Sequence, residues 1–149
     1  MQVFIIGSPL DTAKALDRKR LNKQIIECQQ ILKAIWGESK AWVNHPCTIQ
    51  YREHETWLWY YYQTLTFYKN YLNTVTVEFD VDPLEIAKSK SLMADLYRPN
   101  FHTQAYLGNM KKRLYTKNNE HYKQWENLGE SYENWYWVDN KWKIYKQTK

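Results

Sequence analysis

The sequence contains few of the residues that several common functional sites require. Its 149 residues include four glycines, two cysteines and four histidines. The glycines form no Gly-rich phosphate-binding loop. Cys28 and Cys47 belong to no CxxC pair, and the histidines lie in different segments without the spacing of a zinc site. We therefore expect no cofactor and no metal.

Long hydrophobic runs and a hydrolase signature are also lacking. The apolar runs are far too short to cross a membrane, and no secretory leader is recognisable. The GxSxG motif, which carries the nucleophilic serine of many serine hydrolases, is not present. Two isolated thiols and no leader predict a cytoplasmic protein in a reducing compartment, with no membrane partner.

Aromatic residues and positive charge are abundant. Aromatic side chains make up 17% of the chain, including 8 Trp and 13 Tyr, and the formal net charge is +5 with a pI of about 9.1. Aromatic rings fill cores, and they also stack on bases. The positive charge favours a polyanionic partner, with nucleic acid first and a membrane surface second.

The first part of the chain predicts a short strand followed by a long amphipathic helix. The run from Val3 to Ile6 is β-branched and aromatic and stops at Gly7, which is typical of a strand. Apolar residues then recur at alternating gaps of four and three, the period of an amphipathic helix. These residues are Leu21, Ile25, Cys28, Leu32 and Ile35. We expect the helix to begin at the capping residue Asp17 and to be ended by Gly37.

The rest of the chain also predicts helices. The segments Asn44-His45-Pro46 and Asp82-Pro83-Leu84-Glu85 are helix starts, because proline in the first turn loses no hydrogen bond. The expected helices are a long one over residues 46–71, one ending near Leu96, and two over residues 102–115 and 118–128. Residues 74–81 predict a strand or an extended connection, and the tail around Asp139-Asn140 a small hairpin.

These elements predict one mainly α domain over residues 1–149. We expect a compact helical bundle with a short N-terminal strand and an aromatic C-terminal tail or hairpin. A chain of this length can bury a core without metals or disulfides.

Glu27 is the acid that lies among bases on the long helix. Helical spacing places Arg20, Lys23 or Gln24, and Glu27 along one stripe beside the apolar seam. A carboxylate held among cations close to the N-terminal strand is a candidate proton-transfer group. The alternative is a surface helix with ordinary Lys/Glu pairs.

Two basic regions indicate contact with nucleic acid. The first comprises Lys14, Arg18, Lys19, Arg20 and Lys23, and the second comprises Lys111, Lys112, Arg113, Lys117, Lys141, Lys143 and Lys146. Aromatic residues are interleaved with the second region, among them Trp135, Tyr136 and Tyr145. Cations can hold phosphates while rings stack on unpaired bases. The alternative is a solvated basic face with aromatic residues that cover the core.

The order of these elements resembles the pyrimidine-dimer DNA glycosylases of the phage endonuclease V family. The resemblance rests on the run from Leu16 to Glu27, which reads Leu-Asp-x-x-Arg-Leu-x-Lys-Gln-x-x-Glu and is shared with small phage-encoded proteins of that family. It also includes the Asn44-His45-Pro46 element and the aromatic, basic tail with Trp135-Tyr136 and Lys143-Ile144-Tyr145. A phage-encoded protein in a bacterial host is therefore expected.

The resemblance implies a DNA glycosylase with AP-lyase activity and no cofactor. In this family the N-terminal α-amine attacks C1′ of a damaged nucleotide, an imine forms, the base leaves, and β-elimination cuts the strand. By resemblance, Glu27 assists the proton transfers and Arg20 contacts the phosphate or the reacting sugar. Trp135 and Tyr136 would face the lesion, whose base must flip out of the duplex. Because α-amines have pKa values near 8, a useful fraction is nucleophilic at cellular pH.

The predicted site residues follow from the basic regions and the resemblance together. The predicted catalytic residues are Glu27 and Met1. The predicted DNA-binding residues are Arg18, Arg20, Lys23, Asn44, His45, Trp135, Tyr136, Lys143 and Tyr145. The expected partner is double-stranded DNA, bound by a monomer.

The chain departs from the best-known members at its N-terminus, and alternatives follow. Those members expose a Thr followed by Arg, whereas bulky Gln2 predicts that Met1 is retained. Either the Met1 amine is the nucleophile or the imine chemistry has been lost. In the second case the chain is a non-catalytic DNA-binding accessory protein, or an adaptor that binds a host protein through its aromatic tail.

Overall fold

The computed structural model describes residues 1–73 and 82–128, together with the backbone of residues 135–138 and 141–144. Within these residues the fold is mainly α, as predicted. The helices are α1 (Pro9–Ala15), α2 (Arg18–Ile35), α3 (Pro46–Tyr51), α4 (Glu55–Asn73), α5 (Pro83–Asp95) and α6 (Gln104–Lys117). A 3-10 turn spans Lys123–Trp125, and the strands are β1 (Trp135–Val138) and β2 (Lys141–Ile144).

Helix α4 is central to the bundle. It packs against α1, α2 and α5, while α2 also contacts α3. The buried ring of Trp57 in α4 stacks on Tyr61 with centroids 4.9 Å apart and on Tyr51 of α3 at 5.5 Å. Large buried rings contribute strongly to the core, and such aromatic pairs add roughly 0.5–1.5 kcal/mol beyond area burial.

Helix α2 has the bounds that the sequence predicts. Its N-cap is Asp17 and its last residue is Ile35. Gly37 has a φ of 76°, and the amide of Glu38 donates to the Lys33 carbonyl at 2.9 Å, which is the bonding of a glycine-terminated helix end. The predicted apolar seam faces the core: Leu21, Cys28 and Leu32 are fully buried, and Ile25 and Ile35 are partly buried.

The predicted N-terminal strand is wrong. The segment from Val3 to Ile5 is fully buried between helices, and no neighbouring strand pairs with it among the described residues. Side chains bond to its backbone instead: the Phe4 amide donates to Gln24, and the hydroxyl of Tyr61 donates to the Phe4 carbonyl. Buried backbone groups need partners, and here helices α2 and α4 supply them.

The predicted long helix over residues 46–71 is wrong as a single element, because the chain turns between Tyr51 and Glu55. The predicted start is confirmed, since His45 accepts a hydrogen bond from the Cys47 amide at 3.1 Å. Tyr51 and Trp57 would lie roughly 120° apart around one continuous helix. The turn lets both rings enter the same core and stack.

Two later helices are confirmed and one is wrong. Helix α5 begins after Asp82, whose carboxylate accepts from the Leu84 amide at 2.9 Å, and α6 covers most of residues 102–115. Residues 118–128 hold only the 3-10 turn within the described chain. Asn118 has an extended backbone, and its side chain accepts from the His121 amide at 3.1 Å. Asparagine thus replaces the helical bonding there with a local turn.

The strands β1 and β2 pair antiparallel where the sequence predicts a hairpin. Trp135 lies opposite Ile144 and Val138 opposite Lys141, and β1 lies beside α3. Residues 139 and 140, and the predicted strand or connection at 74–81, lie outside the described residues. Among the helices that are described, none has the length and hydropathy that a membrane span needs.

Candidate active site

A cleft of about 220 Å³ lies between the N-terminus, helix α2 and the end of α6. Its lining consists of Met1, Gln2, Phe4, Lys19, Arg20, Lys23, Gln24, Glu27 and Lys117. Among these residues Glu27 is the acid and four are cations. The cleft therefore combines the chain terminus, a carboxylate and a cationic wall, which is an arrangement suited to an anionic substrate.

Glu27 contacts the N-terminal segment directly. Its Oε2 accepts a hydrogen bond from the Gln2 amide at 3.2 Å. Consecutive backbone nitrogens are at most about 3.7 Å apart, so the Met1 amine lies within about 7 Å of this oxygen. Both Met1 and Glu27 are partly exposed and line the cleft. The two predicted catalytic residues are thus neighbours in the same opening.

Arg20 is held in place at the rim of the cleft. One guanidinium nitrogen lies 3.4 Å from Asp17 Oδ2, and the other donates to the Lys117 carbonyl at 3.1 Å. Tyr122 also donates to the Asp17 carboxylate, and the Asp17 amide donates back to the Tyr122 hydroxyl at 2.8 Å. This network fixes the direction of the cation that, by the family resemblance, would contact the phosphate or the reacting sugar.

Lys19 and Lys23 are less constrained. Both side chains are exposed on α2 and line the cleft. A lysine ammonium on a flexible stem acts as a movable point charge, whereas a bonded arginine has a fixed direction. The cationic wall therefore combines an oriented group, Arg20, with the exposed ammonium groups of Lys19 and Lys23.

His45 lies close enough to the chain terminus to respond to its charge. Burial lowers the pKa of His45 below its ordinary value, and the N-terminal ammonium lowers it further. A neutral ring agrees with its Nδ1 accepting from the Cys47 amide at 3.1 Å. The neighbouring Asn44 is exposed, and the ring of Trp42, whose φ is 65°, meets the His45 ring edge at 5.7 Å.

Cys47 is near the same terminus but is unsuited to be a nucleophile. Burial raises the pKa of its thiol to about 12, although the N-terminal ammonium acts in the opposite direction. The reactive form of cysteine is the thiolate, so this thiol stays inert at neutral pH. Its visible role is structural, since the Val3 backbone hydrogen-bonds to the Cys47 sulfur.

The remaining predicted site residues lie elsewhere or outside the description. Arg18 points to the end of α4, where it donates to Asn73 Oδ1 at 2.7 Å, and it does not line the cleft. The backbone of Trp135, Tyr136 and Lys143 forms the two paired strands, but the positions of their side chains are not described. Tyr145 lies outside the described residues.

The predicted site residues omit several residues that line the cleft. Lys19 and Lys117 belong to the two basic regions, but only the fold brings those regions together. Gln24 had a signal, because helical spacing places it on the stripe with Glu27. Its full burial was not foreseeable, since an uncharged amide on a basic helix normally faces water.

No cluster of three or more potential metal ligands occurs among the described histidine, cysteine and acidic residues.

Comparison with known proteins gives a family match for the N-terminal part of the chain. The family model described as pyrimidine dimer DNA glycosylase matches residues 1–67. No curated protein and no solved structure gives a significant match. Residues 1–67 supply every lining residue of the cleft except Lys117. Residues 1–67 are therefore similar to the pyrimidine dimer DNA glycosylase family.

Proposed function

We propose that the protein is a DNA N-glycosylase with AP-lyase activity that acts on a pyrimidine dimer or another modified pyrimidine. The nucleophile is the α-amine of Met1, and Glu27 is the acid and base. The observation that carries this proposal is the hydrogen bond from the Gln2 amide to Glu27, which keeps the terminal amine near that carboxylate in one cationic cleft.

The reaction requires an amine and a proton carrier but no metal. The neutral amine of Met1 donates its lone pair to C1′, and the bond from C1′ to the base breaks with its electrons on the departing base. The amine loses its proton, the bond from C1′ to O4′ opens, O4′ is protonated, and a C1′=N imine remains. Loss of a C2′ proton then expels the 3′ phosphate. Glu27 accepts and returns these protons.

The cationic wall supports DNA as the substrate. Lys19, Lys23 and Arg20 line the cleft, and we propose that they contact phosphates that flank a reacting sugar. A target base must leave the stack to expose C1′, and unstacking is least costly at a damaged pair. We further propose that the aromatic tail contacts the lesion, because β1 lies beside α3, whose N-cap is His45.

A duplex that contains one cyclobutane pyrimidine dimer tests the proposal. We expect strand cleavage at the dimer by the wild-type chain and none in the matched undamaged duplex. Cleavage that requires added divalent metal, or that occurs equally in undamaged DNA, would contradict the imine mechanism. A panel of duplexes with other modified pyrimidines would then identify the substrate.

One observation favours a second candidate, a non-catalytic DNA-binding protein. Glu27 already accepts a hydrogen bond from a peptide amide, which engages part of its capacity as a base. This candidate predicts salt-sensitive duplex binding, unchanged in Glu27→Gln, and no cleavage of any damaged duplex. The same cleavage experiment therefore separates the two functions.

A further inference from the structure

We infer that Gln24 is a positioning residue that fixes the N-terminal amine for the reaction. This inference rests on the proposed function, and it concerns a side chain that does not touch the reacting atoms. Gln24 lies one helical turn before Glu27 on α2 and is 1% exposed. Its side-chain amide forms hydrogen bonds with the backbone of the first residues of the chain, as a neighbouring β-strand would.

The amide of Gln24 bonds to two different peptide groups of the N-terminal segment. Its Nε2 donates to the Gln2 carbonyl at 2.7 Å, and its Oε1 accepts from the Phe4 amide at 2.5 Å. One residue of an adjacent strand would provide the same pair of partners to an extended chain. A single side chain therefore sets which backbone groups of residues 2 and 4 face α2.

Other side chains extend this bonding along the segment. Tyr61 of α4 donates to the Phe4 carbonyl, and its hydroxyl lies 3.2 Å from Gln24 Oε1, a second acceptor for the same hydrogen. Glu27 accepts from the Gln2 amide, and the Thr12 hydroxyl accepts from the Ile6 amide at 3.1 Å. The contacts come from three helices, so the register of the segment is determined by the tertiary fold.

Register matters because the proposed nucleophile is the end of the chain. A shift of one residue in an extended segment moves the amine by about 3.3 Å. A misplacement of about 1 Å can lower a rate by roughly 100-fold when the reacting atoms must be aligned. An untethered terminus would also sample many positions beside Glu27. The Gln24 amide removes both sources of error without contacting DNA.

The test uses Gln24→Met, which keeps the approximate volume of the side chain and removes both hydrogen bonds. Gln29→Met is the matched control, because Gln29 is exposed on the same helix. Amide hydrogen exchange at Phe4 reports the tether without DNA. The single-turnover rate of borohydride trapping on an abasic duplex reports the position of the amine, and the duplex dissociation constant reports binding.

We expect Gln24→Met to exchange the Phe4 amide at least 10-fold faster and to trap abasic DNA 10- to 100-fold more slowly. Its duplex affinity should stay within about twofold of wild type, a separation of rate from binding that general destabilisation would not produce. Gln29→Met should match wild type throughout. A wild-type trapping rate in Gln24→Met, with fast Phe4 exchange, would overturn the inference.

Two further variants test the inference if Gln24→Met does not fold. Tyr61→Phe removes one hydroxyl and retains the ring, and it should slow trapping without weakening duplex binding. One glycine added before Met1 leaves the tether intact and displaces the amine, and it should slow trapping at least 10-fold. Unchanged rates in both would refute the positioning role. If wild type itself traps no DNA, the glycosylase proposal fails, which is a distinct result.

Discussion

Two clusters of polar groups in this molecule have opposite characters. The first is the cleft at Met1 and Glu27, which is open and lined by cations. The second lies in the core, where the Tyr51 hydroxyl is 2.8 Å from His102 Nε2 and 3.5 Å from the Tyr106 hydroxyl. Aromatic rings enclose this second cluster, with the Trp57 ring 4.6 Å from that of His102.

Burial keeps the core cluster neutral. It raises the pKa values of Tyr51 and Tyr106, and it lowers the pKa of His102 to about 3, assisted by Arg98 and His54. Because these side chains are buried and enclosed by rings, a substrate cannot reach them without opening the core. Comparing the two clusters shows that a collection of titratable residues is not enough for a site. Exposure and an anion-binding wall distinguish the cleft.

The largest expected effect is on catalysis, from Glu27→Gln. Loss of the carboxylate should lower the single-turnover cleavage rate of dimer-containing duplex by about 100- to 10,000-fold, the usual contribution of a positioned acid or base. Duplex affinity should not decrease, because a negative charge is removed from a cationic cleft. Glu38→Gln, at an exposed position after the end of α2, is the control. Equal cleavage by the Glu27 and Glu38 variants would exclude a proton-transfer role.

The second largest expected effect is on the free energy of unfolding, which should depend on pH through His102 of the core cluster. The folded pKa of His102 is about 3 and its ordinary value is 6.5, so the unfolded chain binds a proton that the folded chain does not between those pH values. The contribution of His102 is complete above pH 6.5 and is lost as pH falls toward 3. Between pH 7 and pH 5 this is about 2 kcal/mol.

Urea unfolding at the two pH values measures this difference. Wild type and the control His121→Gln, which changes an exposed histidine, should both lose about 2 kcal/mol more between pH 7 and pH 5 than His102→Gln. The same pH dependence in His102→Gln and wild type would show that His102 does not carry the effect.

The third effect is on DNA binding and comes from the wall of the cleft. Lys23→Gln should lower duplex affinity several-fold and reduce the slope of log K against log salt by about 1, the value for one lost phosphate contact. Lys33→Gln alters a lysine in the last turn of the same helix and should leave the slope unchanged. Equal slopes for both variants would show that charge near the cleft has no special role.

The smallest effect is expected for Arg18→Gln. The sequence groups Arg18 with the basic run, but its guanidinium bonds to Asn73 and does not line the cleft. We therefore expect a salt slope within about 0.3 of wild type, well below the full unit of one phosphate contact. A loss as large as that of Lys23→Gln, measured in the same titration, would extend the DNA-binding surface beyond the cleft.

The parts of the fold that depend on local signals could be predicted from the sequence. Helix α2 follows from its apolar period, and α3 and α5 begin where Pro46 and Pro83 follow a capping residue. The turn before Glu55 contains neither glycine nor proline, and tertiary contacts accompany it instead: Tyr51 stacks on Trp57, and the His54 ring meets the Phe101 ring at 5.5 Å. Local propensity gives way here to tertiary packing.

The same distinction holds for the candidate site. Glu27 and Arg20 could be identified because helical spacing places them on one stripe. The apolar segment at Val3 was predicted as a strand because its composition is that of one, and its actual partners, Gln24 and Tyr61, come from separate helices. Lys117 joins the cleft from α6. Contacts between distant segments leave no periodic pattern in the sequence, so they could be identified only from the structure.

The central claim is that the amine of Met1 reacts with a sugar beside Glu27. Borohydride reduction of the wild-type chain on an abasic duplex, followed by mass spectrometry of the adduct, tests it most directly, because borohydride converts an imine into a permanent bond. The account predicts a covalent adduct at the α-amine of Met1 at neutral pH. The absence of any adduct, or an adduct confined to lysine side chains, would contradict it.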